Sequence, residues 1–337
     1  MKTLIIAEAG VNHNGDINLA KKLIDAAAEA GADYVKFQTF KASKLVSSEA
    51  DTADYQKKNT DDNATSQLEM LKKLELSEEE HHTLIAHCKT KNINFLSTGF
   101  DLDSLDFLYN LGIRMFKVPS GELTNLPYLE KIAQLADSII LSTGMSTMQE
   151  ISDALVVLRS NPDIPVTVLH CNTEYPTPFT DVNLRAMNTL QTVFNVNIGY
   201  SDHTLGIEVP IAAVALGATI IEKHFTLDCN MPGPDHAASL EPAELMAMVK
   251  AIRNIDQALG SAEKLPTPSE LKNISVARKS IHLSKNLSKG QVLTESDFEM
   301  LRPGDGISPM LMRSLIGKKI NLDLPKGHKL TTTDIEQ

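Results

Sequence analysis

Polar and ionisable residues in this chain collect at the ends of its apolar runs. Glu8, Lys36 with Gln38, Ser97 with Thr98, Lys117 with Ser120 and Glu122, and Ser142 with Thr143 each close a strand-length, Val/Ile/Leu-rich run. So do His170, Ser201 with His203, and Glu222 with Lys223 and His224. His203 and His224 end consecutive runs and have the donor chemistry to share one divalent ion, with water at the open positions. Mn²⁺, Co²⁺ or Mg²⁺ would suit such a site; two unrelated rim histidines would satisfy the same spacing. Lys36 and Lys117 stand where a buried ammonium is costly unless it meets an anion. With the hydroxyls of Thr98, Ser120, Ser142 and Ser201 they can cradle a phosphate and a carboxylate on one small molecule. The competing reading is a set of ion pairs with Glu8, Glu122 and Glu222, and it accounts for Lys223, beside Glu222, nearly as well as ligand binding does.

Glu122, in the turn Val118-Pro119-Ser120-Gly121-Glu122, is the candidate acid or base; Glu8 could do the same or could only orient an adjacent ammonium. The Pro-stiffened loop from Met231 to His236 presents Asp235 beside the histidine pair, whereas Asn12 to Asp16 reads as a turn followed by a helix cap. His81, His82 and His87 fall on an outer helix and read as structural.

Eight apolar runs with chemistry at one end predict a parallel (β/α)8 TIM barrel, whose active site is built at the C-terminal face from many strands at once. Continuous apolar runs fit strands covered by helices on one side and a packed interior on the other. Between them, Asp16 predicts a helix start and Gly31 its stop. Ser77 with Glu80 and Thr147 with Glu150 have capping-box spacing. Alternation continues to residue 260, giving a catalytic domain over 1–260. Residues 261–276, polar and carrying Pro266 and Pro268, read as a linker. Residues 277–337 form a turn-rich module near the lower size limit for independent folding. The polar stretch Lys41 to Thr65 follows strand two on the active-site side and reads as a lid or a passive insertion.

With 337 residues there is room for a barrel of about 250 plus an appendage. A net charge of −11 gives no general attraction to nucleic acid or anionic membranes, so an anionic substrate would depend on local lysines. Three cysteines without metal spacing fit a reduced compartment. No apolar stretch approaches the roughly 20 residues of a membrane helix, and the N-terminus lacks a signal peptide's apolar segment. A cytoplasmic location is expected.

At these residues the chain resembles the sialic acid synthase family. The matching segments are Ile6-Ala7-Glu8-Ala9-Gly10 with Asn12-His13, Lys36-Phe37-Gln38-Thr39, Ser97-Thr98 and Lys117-Val118-Pro119-Ser120-Gly121-Glu122. They continue with Leu141 to Met145, His170-Cys171 leading to Tyr175-Pro176-Thr177-Pro178, Gly199 to Thr204, Glu222-Lys223-His224-Phe225, and Pro232 to Asp235. The module with Leu301-Arg302-Pro303-Gly304 is similar to the family's antifreeze-like (SAF, β-clip) domain. Positions 172–174, Asn-Thr-Glu, depart from members that carry Thr-Asn-Ile there.

The resemblance implies a carbon–carbon bond-forming transferase. It would condense phosphoenolpyruvate with an N-acetylated mannosamine-type sugar and release phosphate. N-acetylneuraminate is the expected product; N,N'-diacetyllegionaminate and then pseudaminate are the alternatives. It implies that His203 and His224 hold the metal, usually Mn²⁺. Lys36, Gln38, Thr98, Lys117, Ser120, Ser142, Tyr175 and Ser201 would surround substrate, with Glu8, Glu122 and Asp235 contacting sugar, water or metal. It further implies a domain-swapped homodimer in which Arg302 reaches the partner's sugar. Rival readings are a Schiff-base aldolase, a non-catalytic sugar-binding protein, and a phosphoenolpyruvate-dependent synthase of eight-carbon keto acids.

Overall fold

The computed structural model describes residues 2–46 and 67–336. The stretch from Lys41 to Thr65 therefore lies largely outside the described residues. The chain divides into two compact units, residues 1–260 and 261–337.

The first unit carries eight parallel strands: β1 (Leu4–Gly10), β2 (Tyr34–Thr39), β3 (Asn94–Gly99), β4 (Met115–Val118), β5 (Ser138–Ser142), β6 (Val166–Cys171), β7 (Asn197–Asp202) and β8 (Ile220–His224). Their hydrogen-bonded order, β3-β2-β1-β8-β7-β6-β5-β4, joins the last strand to the first, and β3 and β4 lie side by side at the remaining seam. This is the nearly closed (β/α)8 barrel expected from the strand–helix alternation.

Side chains alternate along a strand with period two, and here the alternation separates two layers inside the barrel. Ile6, Leu96, Ile140, Leu169 and Ile220, with Leu4, Tyr34 and Met115 against them, form an apolar plug. Two residues further along the same rows stand Glu8, Thr98, Ser142, Cys171, Glu222, Lys36 and Lys117. The alternate residues, among them Ile5, Ala7, Val35, Phe37, Ile139, Leu141, Val168 and Ile221, face the helical layer and form the main core. Gly199 sits in the plug's row on β7. A Cβ there would collide with Leu169 and come within 2.5 Å of the Ile220 carbonyl oxygen, so the interior closes only around glycine.

The helices begin and stop on the expected signals. Asp16 accepts the Asn18 N–H at 2.7 Å at the start of helix Ile17–Ala30, and Gly31 ends it at φ 82°. Ser77–Glu80 and Thr147–Glu150 form complete capping boxes. No helix among the described residues is long and apolar enough to cross a membrane.

In the second unit, β9 (Ser280–Leu283) and β10 (Phe298–Leu301) pair antiparallel over a separate apolar cluster that includes Ile281, Leu283, Leu293, Ile320 and Leu330. The segment read as a linker contains a helix, Pro268–Ala277. Pro268 occupies its first turn, where the missing N–H is harmless, and Thr267 and Glu270 make a capping box.

Candidate active site

The C-terminal ends of the strands open into a cavity of about 700 Å³. Its lining includes Glu8, Lys36, Gln38, Thr98, Lys117, Ser120, Glu122, Ser142, Tyr175, Ser201, His203, His224 and Asp235. Thirteen residues expected from eight strands thus meet in one place. Arg302, expected to act on the sugar of a partner subunit, is exposed on the second unit.

The floor is a buried chain of charges. Lys36 Nζ lies 2.7 Å from Glu8 Oε2 and 3.6 Å from Glu222 Oε2, and it donates to Thr98 Oγ1 at 3.0 Å. Lys117 Nζ donates to both oxygens of Glu222 at 2.7 and 2.8 Å, and Ser201 Oγ donates to Glu222 Oε1 at 2.9 Å. The ion pairs are therefore made, yet both ammoniums also line the cavity. Burial opposes the charge on Glu222, but Lys117 and Lys36 outweigh it and hold that carboxyl well below the usual range. Burial instead dominates at Glu8, where it overcomes Lys36 and raises the carboxyl to about 7. Burial and the neighbouring Lys36 lower Lys117, against the pull of Glu222, whereas Glu222 and Glu8 keep Lys36 raised despite its burial.

Two placements correct the sequence reading. Lys223 pairs with Asp202 at 2.6 Å rather than with Glu222, because adjacent residues of β8 point to opposite faces and Lys223 turns outward. Glu122 lines the cavity but is half-exposed, and its Oε2 accepts the Asn125 side-chain N–H at 2.6 Å; it makes no pair with the floor lysines among the described contacts. His170 donates or accepts at Val182 O, 2.8 Å away, and stands outside the cavity lining. His81 is buried on its helix against Thr39 and Ser77, as a structural histidine.

The two site histidines are neighbours with ring centroids 5.5 Å apart, and the tilted Tyr175 ring packs against His203 with centroids 4.0 Å apart. The His203 Nδ1–H donates to the Asn172 carbonyl, 2.5 Å away, which leaves a lone pair on Nε2. His224 Nδ1 is buried without a hydrogen-bond partner, with Asp235 Oδ2 3.9 Å away. Burial lowers His203 to about 4 and, with His203 beside it, His224 well below its ordinary value, so both rings are neutral. Neutral, partner-poor imidazoles fit a divalent cation held by two protein nitrogens. Among the described residues no cluster of three or more His, Cys, Asp or Glu side chains forms a complete metal site.

Burial alone raises Asp235 to about 6. The loop that carries it is tied to β1 by a relay that sequence reading missed. Buried Asn12 donates to Phe225 O at 2.9 Å and to Ser239 Oγ at 3.0 Å, and Ser239 Oγ donates to Asp235 O at 2.7 Å. Asn14 adds a bond from its Nδ2 to Pro232 O at 2.9 Å. The reading also missed Cys171, in the cavity 3.2 Å from Ser120 Oγ; its place two residues after Leu169 was the available signal. Ser120 Oγ in turn accepts the Gly144 N–H at 3.0 Å.

Comparison with known proteins bears on this geometry. Residues 23–264 match the family model described as the NeuB family, and residues 278–336 match the SAF domain. The chain belongs to the NeuB family. It is an enzyme, a sialic-acid-type synthase. The N,N'-diacetyllegionaminic acid synthase of Campylobacter jejuni subsp. jejuni serotype O:2 is 56% identical over 319 residues, which cover 94% of this chain and 95% of that one. The synthase of the same name from Legionella pneumophila subsp. pneumophila is 47% identical over 340 residues, covering 100% of this chain and 95% of that one. The crystal structure of the N-acetylneuraminic acid synthetase from Leptospira borgpetersenii serovar Hardjo-bovis superposes with a TM-score of 0.73 at 36% identity. That match covers 81% of this chain and 90% of the synthetase.

Proposed function

We propose that this NeuB-family enzyme condenses phosphoenolpyruvate with 2,4-diacetamido-2,4,6-trideoxymannose and water, giving N,N'-diacetyllegionaminate and phosphate. The reading rests on the two-lysine floor beside the histidine pair. The choice of sugar departs from the neuraminate expected from sequence, and 56% identity to a legionaminic acid synthase supports it.

Lys36 and Lys117 hold the phosphate and carboxylate of phosphoenolpyruvate, aided by the hydroxyls of Thr98, Ser120, Ser142 and Ser201. Glu222 fixes both ammoniums in place. In the reaction the C2=C3 π pair of phosphoenolpyruvate forms the bond from C3 to C1 of the open-chain sugar, and the aldehyde π pair moves to its oxygen, which takes a proton. Water adds at C2 and loses a proton. The resulting hydroxyl loses its own proton to become the C2 ketone as the C2–O bond to phosphate breaks and its electron pair leaves with phosphate. The lysines stabilise that departing charge from fixed positions, without reorganisation. Glu8, raised to about 7, can hold a proton near neutral pH and is the better placed acid; Glu122 stands closer to solvent. His203 and His224 would hold a divalent ion, Mn²⁺ in this reading, which when bound polarises the sugar's aldehyde. Asp235 orients the sugar. A cytoplasmic homodimer in which Arg302 reaches the sugar of the partner subunit completes the proposal.

The test is phosphate release from phosphoenolpyruvate with Mn²⁺, comparing 2,4-diacetamido-2,4,6-trideoxymannose with N-acetylmannosamine. Turnover of the first in preference, abolished by chelator and without borohydride trapping, is expected. Preference for N-acetylmannosamine would restore the neuraminate reading. Chelator-insensitive turnover with borohydride trapping would make the enzyme a Schiff-base aldolase.

A further inference from the structure

The cavity has two unlike sides. The charged floor and the histidine pair face a side built by the segments that follow β1, β2 and β3, and among the described residues that side is apolar apart from Gln67. Val11, Leu45, Met70, Leu71, Leu74 and Phe100 all line the cavity. They belong to one small cluster separate from the barrel core, in which Val11 and Leu74 are buried with Phe40 and the others lie against them half-exposed. Phe40 and Phe100 meet edge to face at 6.3 Å.

This wall is held in place. The short helices Ala42–Leu45 and Gln67–Lys72 lie against each other. The Ala42 N–H donates to Glu75 Oε1 at 2.7 Å and the Lys41 N–H to Asp101 Oδ2 at 3.1 Å. Gly15, at φ 76°, lets the turn after β1 approach the Lys73 carbonyl, which a Cβ would strike. The wall is therefore a built surface braced from three loops.

Phosphoenolpyruvate carries a phosphate and a carboxylate, and those belong on the lysines. What remains for the apolar side is the part of the acceptor far from its aldehyde. A sugar ending in hydroxymethyl, seated on Met70, Leu71 and their apolar neighbours, would press a hydroxyl against side chains that offer it no strong hydrogen-bond partner. A methyl terminus, or the methyl of an acetamido group, loses nothing there and leaves water behind. Resting on the synthase reading above, we infer that Met70, Leu71 and their neighbours are specificity-determining residues. They seat the methyl-bearing end of a 6-deoxy, diacetamido acceptor and disfavour acceptors with a terminal hydroxyl.

The experiment compares kcat/KM for 2,4-diacetamido-2,4,6-trideoxymannose and for N-acetylmannosamine in wild type, Met70→Gln, Leu71→Asn and Met70→Leu. One methylene in an apolar pocket is worth about 10- to 200-fold. The expected result is a preference ratio lowered by about tenfold or more in Met70→Gln and Leu71→Asn, with KM for phosphoenolpyruvate unchanged. Met70→Leu, which conserves volume and polarity, should keep the wild-type ratio. Both substituted residues are half-exposed, and a thermal melt identifies any variant that fails to fold; either polar variant alone suffices. Turnover of the diacetamido sugar with an unshifted ratio in a folded polar variant overturns the wall and leaves the synthase reading standing. Absence of phosphate release with either sugar in the wild type overturns the sugar reading, and the wall's occupant with it.

Discussion

Lys117 and Asp235 line the same cavity but are held there by different means. Lys117 rises from the inner row of β4, buried, with both Glu222 oxygens on its ammonium. Its position follows from the barrel's own pleat. Asp235 sits in a loop, and its place depends on a backbone contact to Ser239 that leads back through Asn12 to β1. Strand-borne groups cannot shift without disturbing the plug beneath them. Loop-borne groups can be re-aimed by changing a few contacts. A barrel of this kind can keep one way of handling phosphoenolpyruvate while its rim adapts to different sugars.

The hardest test of that division falls on the floor. Lys117→Met should lower kcat/KM for phosphoenolpyruvate by about 10³-fold, the scale seen when a preorganised charge-stabilising donor is removed. It should also destabilise the fold by about 3–5 kcal/mol, because Glu222 is left buried with one of its two cations gone. Steady-state kinetics and urea unfolding read both effects; a loss under tenfold would show that the floor is only structural.

Next in size is a contrast between two carboxylates. Glu8→Gln removes the proton-holding group on the floor and should reduce kcat by about 10²-fold or more. Glu122→Gln leaves an amide that can still engage Asn125, and should fold normally with a smaller loss. The reverse order would move the acid/base role out to the rim.

A third substitution probes the rim's own support. Asn12→Ala breaks the relay to Ser239 and should lower kcat by about tenfold through misplacement of Asp235, with KM for phosphoenolpyruvate unchanged. Asn12→Asp keeps the shape but lacks the N–H donors, so it should fare no better. Recovery in Asn12→Asp would mean that side-chain volume, not donation, supports the loop.

The same contrast explains what could be read from the chain. Glu8, Lys36, Lys117, Ser142, Ser201 and Glu222 were legible because strand ends in a barrel converge, so sequence position implies spatial position. The signal's resolution is one residue. Lys223 went to the wrong partner because neighbours on a strand share an end but not a face, and Asp202 lay on the outer face with it. Cys171 was passed over although the inner row of β6 leads to it. Asn12 and Ser239, 227 positions apart, left no local trace at all; Asn12 looked like the turn residue that it also is. The apolar wall was missed for a related reason. Met70, Leu71 and Leu74 follow a polar stretch in the sequence, and nothing local distinguishes a side chain facing a cavity from one facing a core.

Acid should distinguish the regions once more, now through stability. His13 stands in the turn after β1, fully buried, and burial lowers it to about 4. Its Nδ1 accepts the Gly15 N–H at 3.0 Å, so a proton added there would confront another donor. The unfolded chain takes up that proton near the ordinary value of about 6.5, whereas the folded chain refuses it until about 4. Stability from this group is therefore intact above about pH 6.5 and declines as pH falls toward 4, by about 1.4 kcal/mol per unit. The raised carboxyls Glu8 and Asp235 act with the opposite sign, since the folded chain binds their protons more readily than the unfolded one. Urea unfolding at pH 7.5 and pH 5.0 should thus show His13→Gln losing about 1–2 kcal/mol less than wild type over that interval. An equal loss in both would mean that the turn opens to admit the proton, and that the rim's brace on β1 is looser than its burial implies.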